Sequence, residues 1–386
     1  MIKKIGVVTT SRADFGLLCP VISEIKNSNK FEIRVIATGL HLLKEYGYTI
    51  RNVKEKFDCV DIVDLYLPSS DKYSLIKSIG IGFMSFGDYF KNNQFDLIIV
   101  LGDRVELIVP VYAAMIASIP IAHIFGGDNI EKYVTYDNNI RHCITKLSSL
   151  HFTATEEHAK RVEKLGEEKW RIINVGSPAI DYIKQCKYIS KDVLQKKFEK
   201  IKFSEPYAVL TFHPVHLEIN DLEYQIENII KSLNDLGVQV LCTKPNNDVG
   251  SETIMKRVQF EDMINDKFLL VNSLTQEEYY SILKYCAFMI GNSSSGVLES
   301  SSFGIPSINI GTRQSGRIHG NNVIDTDYTY DNIKSSIMKA RDINFIKLCK
   351  VSKNPYGDGN SAKRILKTLI KFSNDKEKLL LKKITY

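Results

Sequence analysis

The residues best suited to chemistry in this chain are carboxylates, arginines and serines that recur where apolar runs end. After one such run comes Gly291-Asn292-Ser293-Ser294-Ser295-Gly296, and a helix is expected to start near Ser295. A helix start built of small residues presents unpaired N–H groups and the positive end of the macrodipole to a phosphate. Glu299 lies one turn further on, where a carboxylate can accept ribose hydroxyls. The plainer reading is a serine-rich N-cap that Glu299 helps to close. Other runs end in Ser11-Arg12-Ala13-Asp14, in Gly102-Asp103-Arg104 and in Phe125-Gly126-Gly127-Asp128, with Asp137 and Arg141 following. In the second half His213, then Asn246 and Asp248, then Arg313 occupy the same kind of position. Carboxylates so placed can move protons, and arginines can grip a phosphate. Taken singly, each is as well explained by a cap, a turn or an ion pair. Asp137 and Arg141, spaced i, i+4, would make a surface pair of roughly 0.3–0.5 kcal/mol. His123 reads as a structural histidine, and His142 is open.

What must position these residues is an alternation of short β-branched runs with helical patterns. Strands are expected at 5–10, 31–38, 96–101, 120–125, 151–155 and 171–175, then at 207–212, 239–244, 268–272, 287–291 and 306–310. Helices are expected between them, among them 17–27, 104–118, 138–150, 156–165, 222–236, 251–261, 276–285, 296–303 and 331–342. Continuous apolar strands separated by helices mean parallel sheets covered on both faces. The expected class is α/β, with two doubly wound Rossmann-like domains facing a cleft. Their expected extents are 1–176 and 177–365, with a helix or tail at 366–386. An amphipathic stretch at 361–374 belongs with the second domain or crosses back to the first, and 375–386 is expected to fray. Ligands of such sheets gather at the carboxyl ends of the strands.

Composition narrows the class. A length of 386 residues accommodates two cores, and 44% hydrophobic with 25% charged residues is ordinary for a globular protein. The net charge of +6 comes from dispersed lysines, without the basic stripe of a nucleic-acid binder. Seven cysteines without paired spacing suit reduced, buried thiols in a cytoplasm. No signal-type segment is apparent, and no apolar run reaches the ~18 residues of a membrane span. Gly80-Ile81-Gly82 with Gly87 misses the dinucleotide spacing, and no P-loop is present. His213-Pro214-Val215-His216 lacks a third ligand nearby, so no metal site is expected.

In this order, Ser11-Arg12-Ala13-Asp14, Gly102-Asp103-Arg104, Ile140-Arg141-His142-Cys143-Ile144-Thr145-Lys146-Leu147, Phe212-His213-Pro214 and Pro245-Asn246-Asn247-Asp248 form a pattern. Gly291-Asn292-Ser293-Ser294, Gly311-Thr312-Arg313-Gln314 and Tyr356-Gly357-Asp358-Gly359-Asn360 complete it. The pattern, covering most of the chain, resembles the hydrolysing UDP-N-acetylglucosamine 2-epimerases of sialic-acid biosynthesis. The resemblance implies a GT-B-like fold and nucleotide- and diphosphate-binding roles for Arg12, His213, Asn246, Ser293, Ser294, Glu299 and Arg313. It implies roles around the reacting sugar for Asp103, Asp137 and Arg141, with Asp14 and Arg104 beside them. The implied chemistry removes the C2 proton, expels the nucleoside diphosphate, and rehydrates the resulting glycal. It requires no cofactor and no metal. The implied partners are a nucleotide-sugar substrate and further copies of the chain, as a homodimer or homotetramer. One departure stands out. Many relatives read His-Ile-Glu-Gly-Gly-Glu where this chain has His123-Ile124-Phe125-Gly126-Gly127-Asp128. Phe125 cannot transfer a proton, so that acid–base work is absent or falls to Asp103, Asp137 or Asp128. An apolar Phe125 beside the sugar would suit a 6-deoxy substrate such as nucleotide-linked N,N'-diacetylbacillosamine.

Overall fold

A computed structural model describes residues 3–65, 72–130, 136–245 and 249–385. Seven strands form the first sheet: β1 (Lys3–Thr9), β2 (Phe31–Ala37), β3 (Val60–Ile62), β4 (Leu97–Leu101), β5 (Ile121–Ile124), β6 (Leu150–Thr153) and β7 (Ile172–Asn174). Six form the second: β8 (Tyr207–Thr211), β9 (Gln239–Thr243), β10 (Phe268–Val271), β11 (Phe288–Gly291), β12 (Ser307–Ile310) and β13 (Val323–Thr326). Their orders are β3-β2-β1-β4-β5-β6-β7 and β10-β9-β8-β11-β12-β13, with every pairing parallel. Both are doubly wound, and each reverses direction once: between β1 and β4, and between β8 and β11. Ligands of such sheets sit beyond the strand ends at that reversal.

Strand composition explains why both faces are covered. In β4, Leu97, Ile99 and Leu101 enter one apolar cluster while Ile98 and Val100 enter another on the opposite face. The first cluster is closed by the helices Arg12–Asn27 and Ser361–Phe372, the second by Lys72–Asn92 and Ile108–Ile116. Ala362, Ile365, Leu369 and Phe372 line one side of the late helix at helical spacing. The second sheet is packed by the helices Leu222–Asp235, Ser251–Ile264 and Tyr330–Ala340.

The chain divides into two compact units. One comprises Met1–Asp128, Thr135–Lys184 and Tyr356–Tyr386, and the bulk of the other is Gln185–Pro355. The change of unit therefore falls at Lys184/Gln185 rather than at 176/177. The helix Pro178–Gln185 follows directly from β7, with most of its residues buried, and goes with the first sheet. The last thirty-odd residues also return to the first unit, where their apolar stripe has a sheet to cover.

Most expected elements lie within a few residues of their observed limits. Three differences have physical causes. β3 and β13 are edge strands interrupted by Asp61 and Asp325, so neither reads as a continuous apolar run. The helix Lys72–Asn92 contains Gly80, Gly82 and Gly87, which mask its periodicity. A Cβ on Gly82 would lie 2.9 Å from Leu65 Cγ and 3.1 Å from Val109 Cγ1, so this glycine permits close helix packing. The C-terminal tail, expected to fray, is anchored. Fully buried Arg171 donates to the carbonyls of Ser149 (3.0 Å), Leu379 (2.9 Å), Lys378 (3.1 Å) and Leu381 (2.6 Å). Lys382 Nζ donates to Ser148 O at 2.7 Å and pairs with buried Glu167 at 2.8 Å. All seven cysteines are free; Cys143, expected to be buried, is exposed. Among the described residues no helix is long and apolar enough to cross a membrane.

Candidate active site

In the first unit, three loops meet at the reversal between β1 and β4. Asp14, in the first turn of the helix Arg12–Asn27, accepts at Oδ1 from Ser11 N and Ser11 Oγ, both at 2.7 Å, and at Oδ2 from Thr10 N at 2.7 Å. The buried Asp14 carboxylate thereby ties down the loop after β1, and Arg12 stands exposed beside it. Thr9 Oγ1 lies 3.0 Å from His41 Nε2 in the loop after β2. Burial lowers the His41 pKa; nearby Asp14 opposes this and Arg104 adds to it. Arg104 is held at 2.6 Å by Glu106, a fully buried carboxylate.

The next loops build a chain of charges. Arg141, on the helix Asp137–Leu147, is buried, and its Nη2 donates to Asp103 Oδ2. Its Nη1 pairs with Asp128 Oδ2 at 2.8 Å. Arg141 is thus more than the surface partner its spacing suggested, because it joins the loops after β4 and β5. Asp137, half-buried, opens the same helix. His123 is buried, with Nε2 2.7 Å from Gly102 O and Nδ1 3.1 Å from Thr145 Oγ1, which fits its structural reading. His142 is half-buried, and burial followed by the Arg141 charge lowers its pKa. Phe125 adopts φ +73°, donates its N–H to Phe152 O at 3.0 Å, and packs half-buried against the core. Much of its ring therefore serves packing.

The second unit gathers its residues around one side chain. Asn292 Oδ1 accepts from His213 N at 2.8 Å, and Asn292 Nδ2 donates to His213 O at 2.8 Å. The bond pair clamps the end of β8 to the end of β11 at the reversal of the sheet. Gly291 allows that approach: at φ +128° an added Cβ would sit 2.0 Å from Thr211 O. Asn292 O then accepts from Arg313 Nη1 (3.2 Å) and Gln314 Nε2 (2.9 Å) in the loop after β12. Glu218 accepts from Thr312 Oγ1 and Tyr328 OH and so fixes that loop from its other side. A small hollow adjoins these strands, lined in part by Thr211, Ser293, Gly296, Ser307 and Asn309.

The helix after β11 differs from expectation. It begins at Ser294, with Ser293 as N-cap, and breaks at Glu299 before a second short helix, Ser300–Phe303. Glu299 turns its carboxylate back onto Ser295 Oγ and onto Tyr280 OH at 3.1 Å. Burial raises its pKa, against those two hydrogen bonds. A five-residue helix offers only a small macrodipole, so local N–H groups and serine hydroxyls dominate any attraction for phosphate. Asn246 lies outside the described residues.

The structure thus brings Asp103, Asp128 and Arg141 together in one unit, and His213, Ser293 and Arg313 in the other. Asn292, Gln314, Glu218, Tyr328, His41 and Glu106 were not singled out from sequence. Only Asn292 carried a signal, as a polar residue between a strand end and a serine run.

The sequence profile described as UDP-N-acetylglucosamine 2-epimerase matches residues 23–370. The chain belongs to this family. Among its relatives, the chain is 34% identical over 373 residues to a Legionella pneumophila protein named UDP-N,N'-diacetylbacillosamine 2-epimerase (hydrolyzing), covering 96% of this chain and 97% of that one. It is 35% identical to a Campylobacter jejuni protein named GDP/UDP-N,N'-diacetylbacillosamine 2-epimerase (hydrolyzing), covering 84% of each. A solved family structure, UDP-GlcNAc 2-epimerase from Neisseria meningitidis bound to UDP-GlcNAc, superposes with a TM-score of 0.78 at 18% identity, over 95% of this chain and 100% of that one. At that identity the likeness shows the fold, which is the GT-B-like one expected.

Proposed function

We propose that the chain hydrolyses a nucleotide-linked 2-acetamido sugar with inversion at C2, taking UDP-N-acetylglucosamine and water to N-acetylmannosamine and UDP. The observation that carries this reading is Asp103, held against buried Arg141 at the carboxyl end of β4. A base takes the C2 proton while the C1–O bond breaks, and UDP leaves with the bonding electrons. The C1=C2 glycal then gains a water oxygen at C1 and a proton at C2 on the opposite face. Asp103 and Asp137 are the proposed proton-transfer groups, with Arg141 and Asp128 supporting them, and Asp14 and Arg104 order the adjoining loops. Arg12, His213, Asn246, Ser293, Ser294, Glu299 and Arg313 are assigned to the nucleotide, where cationic and N–H donors stabilise the departing diphosphate.

A second reading keeps the reaction and changes the sugar to UDP- or GDP-N,N'-diacetylbacillosamine. Phe125, where many relatives carry a glutamate, and the names of the two relatives favour it. Incubation with all three nucleotide sugars in deuterated water, with mass spectrometry and proton NMR of the products, tests both readings. A free sugar carrying deuterium at C2 is expected. A product that keeps its anomeric phosphate, or no release of UDP or GDP from any of them, refutes hydrolytic epimerisation.

Self-association and a cytoplasmic site of action complete the proposal. Tyr73, Ile76 and Met84 on the helix Lys72–Asn92 are 65%, 64% and 70% exposed, and Tyr112 and Ile116 are exposed on the helix packed beside it. Apolar side chains grouped in this way suit a second copy of the chain. Free thiols suit a reducing compartment.

A further inference from the structure

We propose that His158 is a positioning residue: it braces Asp128 against Arg141 and, through Arg141, sets Asp103 for proton transfer. The inference rests on the hydrolytic epimerase reading for its catalytic consequence, but the brace itself is a matter of geometry within one unit.

His158 sits in the first turn of the helix Glu156–Lys164, with its N–H on the Thr155 capping hydroxyl at 3.1 Å. Its Nε2 lies 3.6 Å from Asp128 Oδ1, and its ring meets Tyr356 edge to face at 6.1 Å. Asp128 is therefore flanked on both oxygens, by the imidazole at Oδ1 and by Arg141 Nη1 at Oδ2. The backbone reinforces the contact. Gly127 has φ +82°, and an added Cβ would stand 2.3 Å from His158 O, so the loop after β5 lies directly on the turn that carries His158.

Along this chain of contacts side-chain exposure is 1% at His158, 11% at Asp128, 3% at Arg141 and 26% at Asp103. Only the Asp103 end is substantially open to a substrate. As the more exposed of the two carboxylates on Arg141, Asp103 is assigned to proton transfer and Asp128 to support of the guanidinium. A buried guanidinium shared between two carboxylates holds its plane only if the rear carboxylate is itself fixed. The His158 imidazole, within ion-pair range at 3.6 Å but beyond hydrogen-bond distance, bounds Asp128 on that side, and Tyr356 meets the imidazole edge to face.

The test compares His158→Phe, His158→Asn and His158→Gln with the wild type. Glutamine carries an amide N–H to about the place of Nε2, asparagine falls short, and phenylalanine fills the space without a polar atom. In the phenylalanine and asparagine variants kcat is expected to fall on the order of 10–100-fold at nearly constant KM, with glutamine restoring most of it. Nitrogen-15 NMR of the arginine side chains, with the Arg141 signals assigned by their loss in Arg141→Lys, reads the brace without substrate. Separate Nη signals are expected in the wild type and the glutamine variant, and merged ones in the other two. If His158→Phe does not fold, the asparagine–glutamine pair carries the comparison. Unchanged Arg141 signals in the variants overturn the proposal, as does glutamine behaving like phenylalanine or asparagine, or a loss of thermal stability at unchanged kcat. Should the wild type hydrolyse no nucleotide sugar, the epimerase reading fails by itself, and the NMR comparison still decides the brace.

Discussion

Asp103 meets Arg141 at the strand end, and a carbon-bound proton is the hardest transfer the proposed reaction demands. Asp103→Asn and Asp137→Asn are each expected to lower turnover by about 10²–10⁴-fold. Calorimetric affinity for UDP should change little, and near-normal rates in both variants would remove these carboxylates from the mechanism. Arg313→Ala should do the reverse, weakening UDP binding through loss of a charge-assisted contact. An unaltered dissociation constant would show that the loop after β12 does not reach the nucleotide. His123 carries a prediction about acid. Burial pushes its pKa down to about 3, against the hydrogen bond with Gly102 O. Above pH ~6.5 the folded and unfolded imidazoles are both neutral and the group contributes nothing to pH dependence. Below that, the unfolded chain binds a proton that the folded one refuses, and stability falls by about 1.4 kcal/mol per pH unit until the folded group also titrates. Burial lowers the His151 pKa as well, so it acts in the same direction. Urea unfolding between pH 7 and 5 should show this slope, reduced by about one proton in His123→Gln; an identical slope in the variant would argue against a buried neutral His123.

At the scale of elements, function rests on where the chain lets backbone approach backbone. Gly291 brings β11 close enough to β8 for Asn292 to clamp His213, and Gly127 seats the loop after β5 on the turn of His158. Neither position tolerates a side chain, since both combine a positive φ with a backbone atom within 2.3 Å of an added Cβ. Gly291→Ala is expected to weaken UDP binding at least as much as Arg313→Ala, and Gly127→Ala to lower kcat while UDP affinity stays near normal. If both variants lost the same property, the assignment of the two loops to different steps would be wrong. Phe125 shows the converse case, a bulky residue held at φ +73°, where such backbone is uncommon. Its packing against the core compensates that conformation.

For the molecule as a whole, the final residues belong to the fold of the first unit. Deleting 375–386 would remove three carbonyl acceptors from buried Arg171 and one cationic partner from buried Glu167. Stranding buried charge costs several kcal/mol, about 3–5 for a broken buried pair. The truncated chain should unfold at a clearly lower temperature, and an unchanged midpoint would mean that the tail is dispensable. Ile76→Lys with Met84→Glu should shift the mass measured by light scattering toward the monomer without unfolding the chain. A mass unaffected by both changes would clear that helix face of any role in self-association.

The sequence alone determined the alternation of strands and helices, because parallel strands buried on both faces must be continuous apolar runs and their connections must be amphipathic. It also determined that polar residues cluster after β1, β4, β5, β8, β11 and β12, since the run of apolar residues stops where the strand does. Its order of motifs was enough to point to the family. Tertiary structure alone decided which of those residues touch. Arg141 reaches Asp103 across thirty-eight positions and Asn292 reaches His213 across seventy-nine, and no local periodicity encodes such pairs. The sequence left open whether the helix Ser361–Phe372 returns to the first unit, and the anchoring of the tail by Arg171 and the break at Glu299 were illegible. Each depends on a partner that only the packed sheets bring within hydrogen-bonding distance.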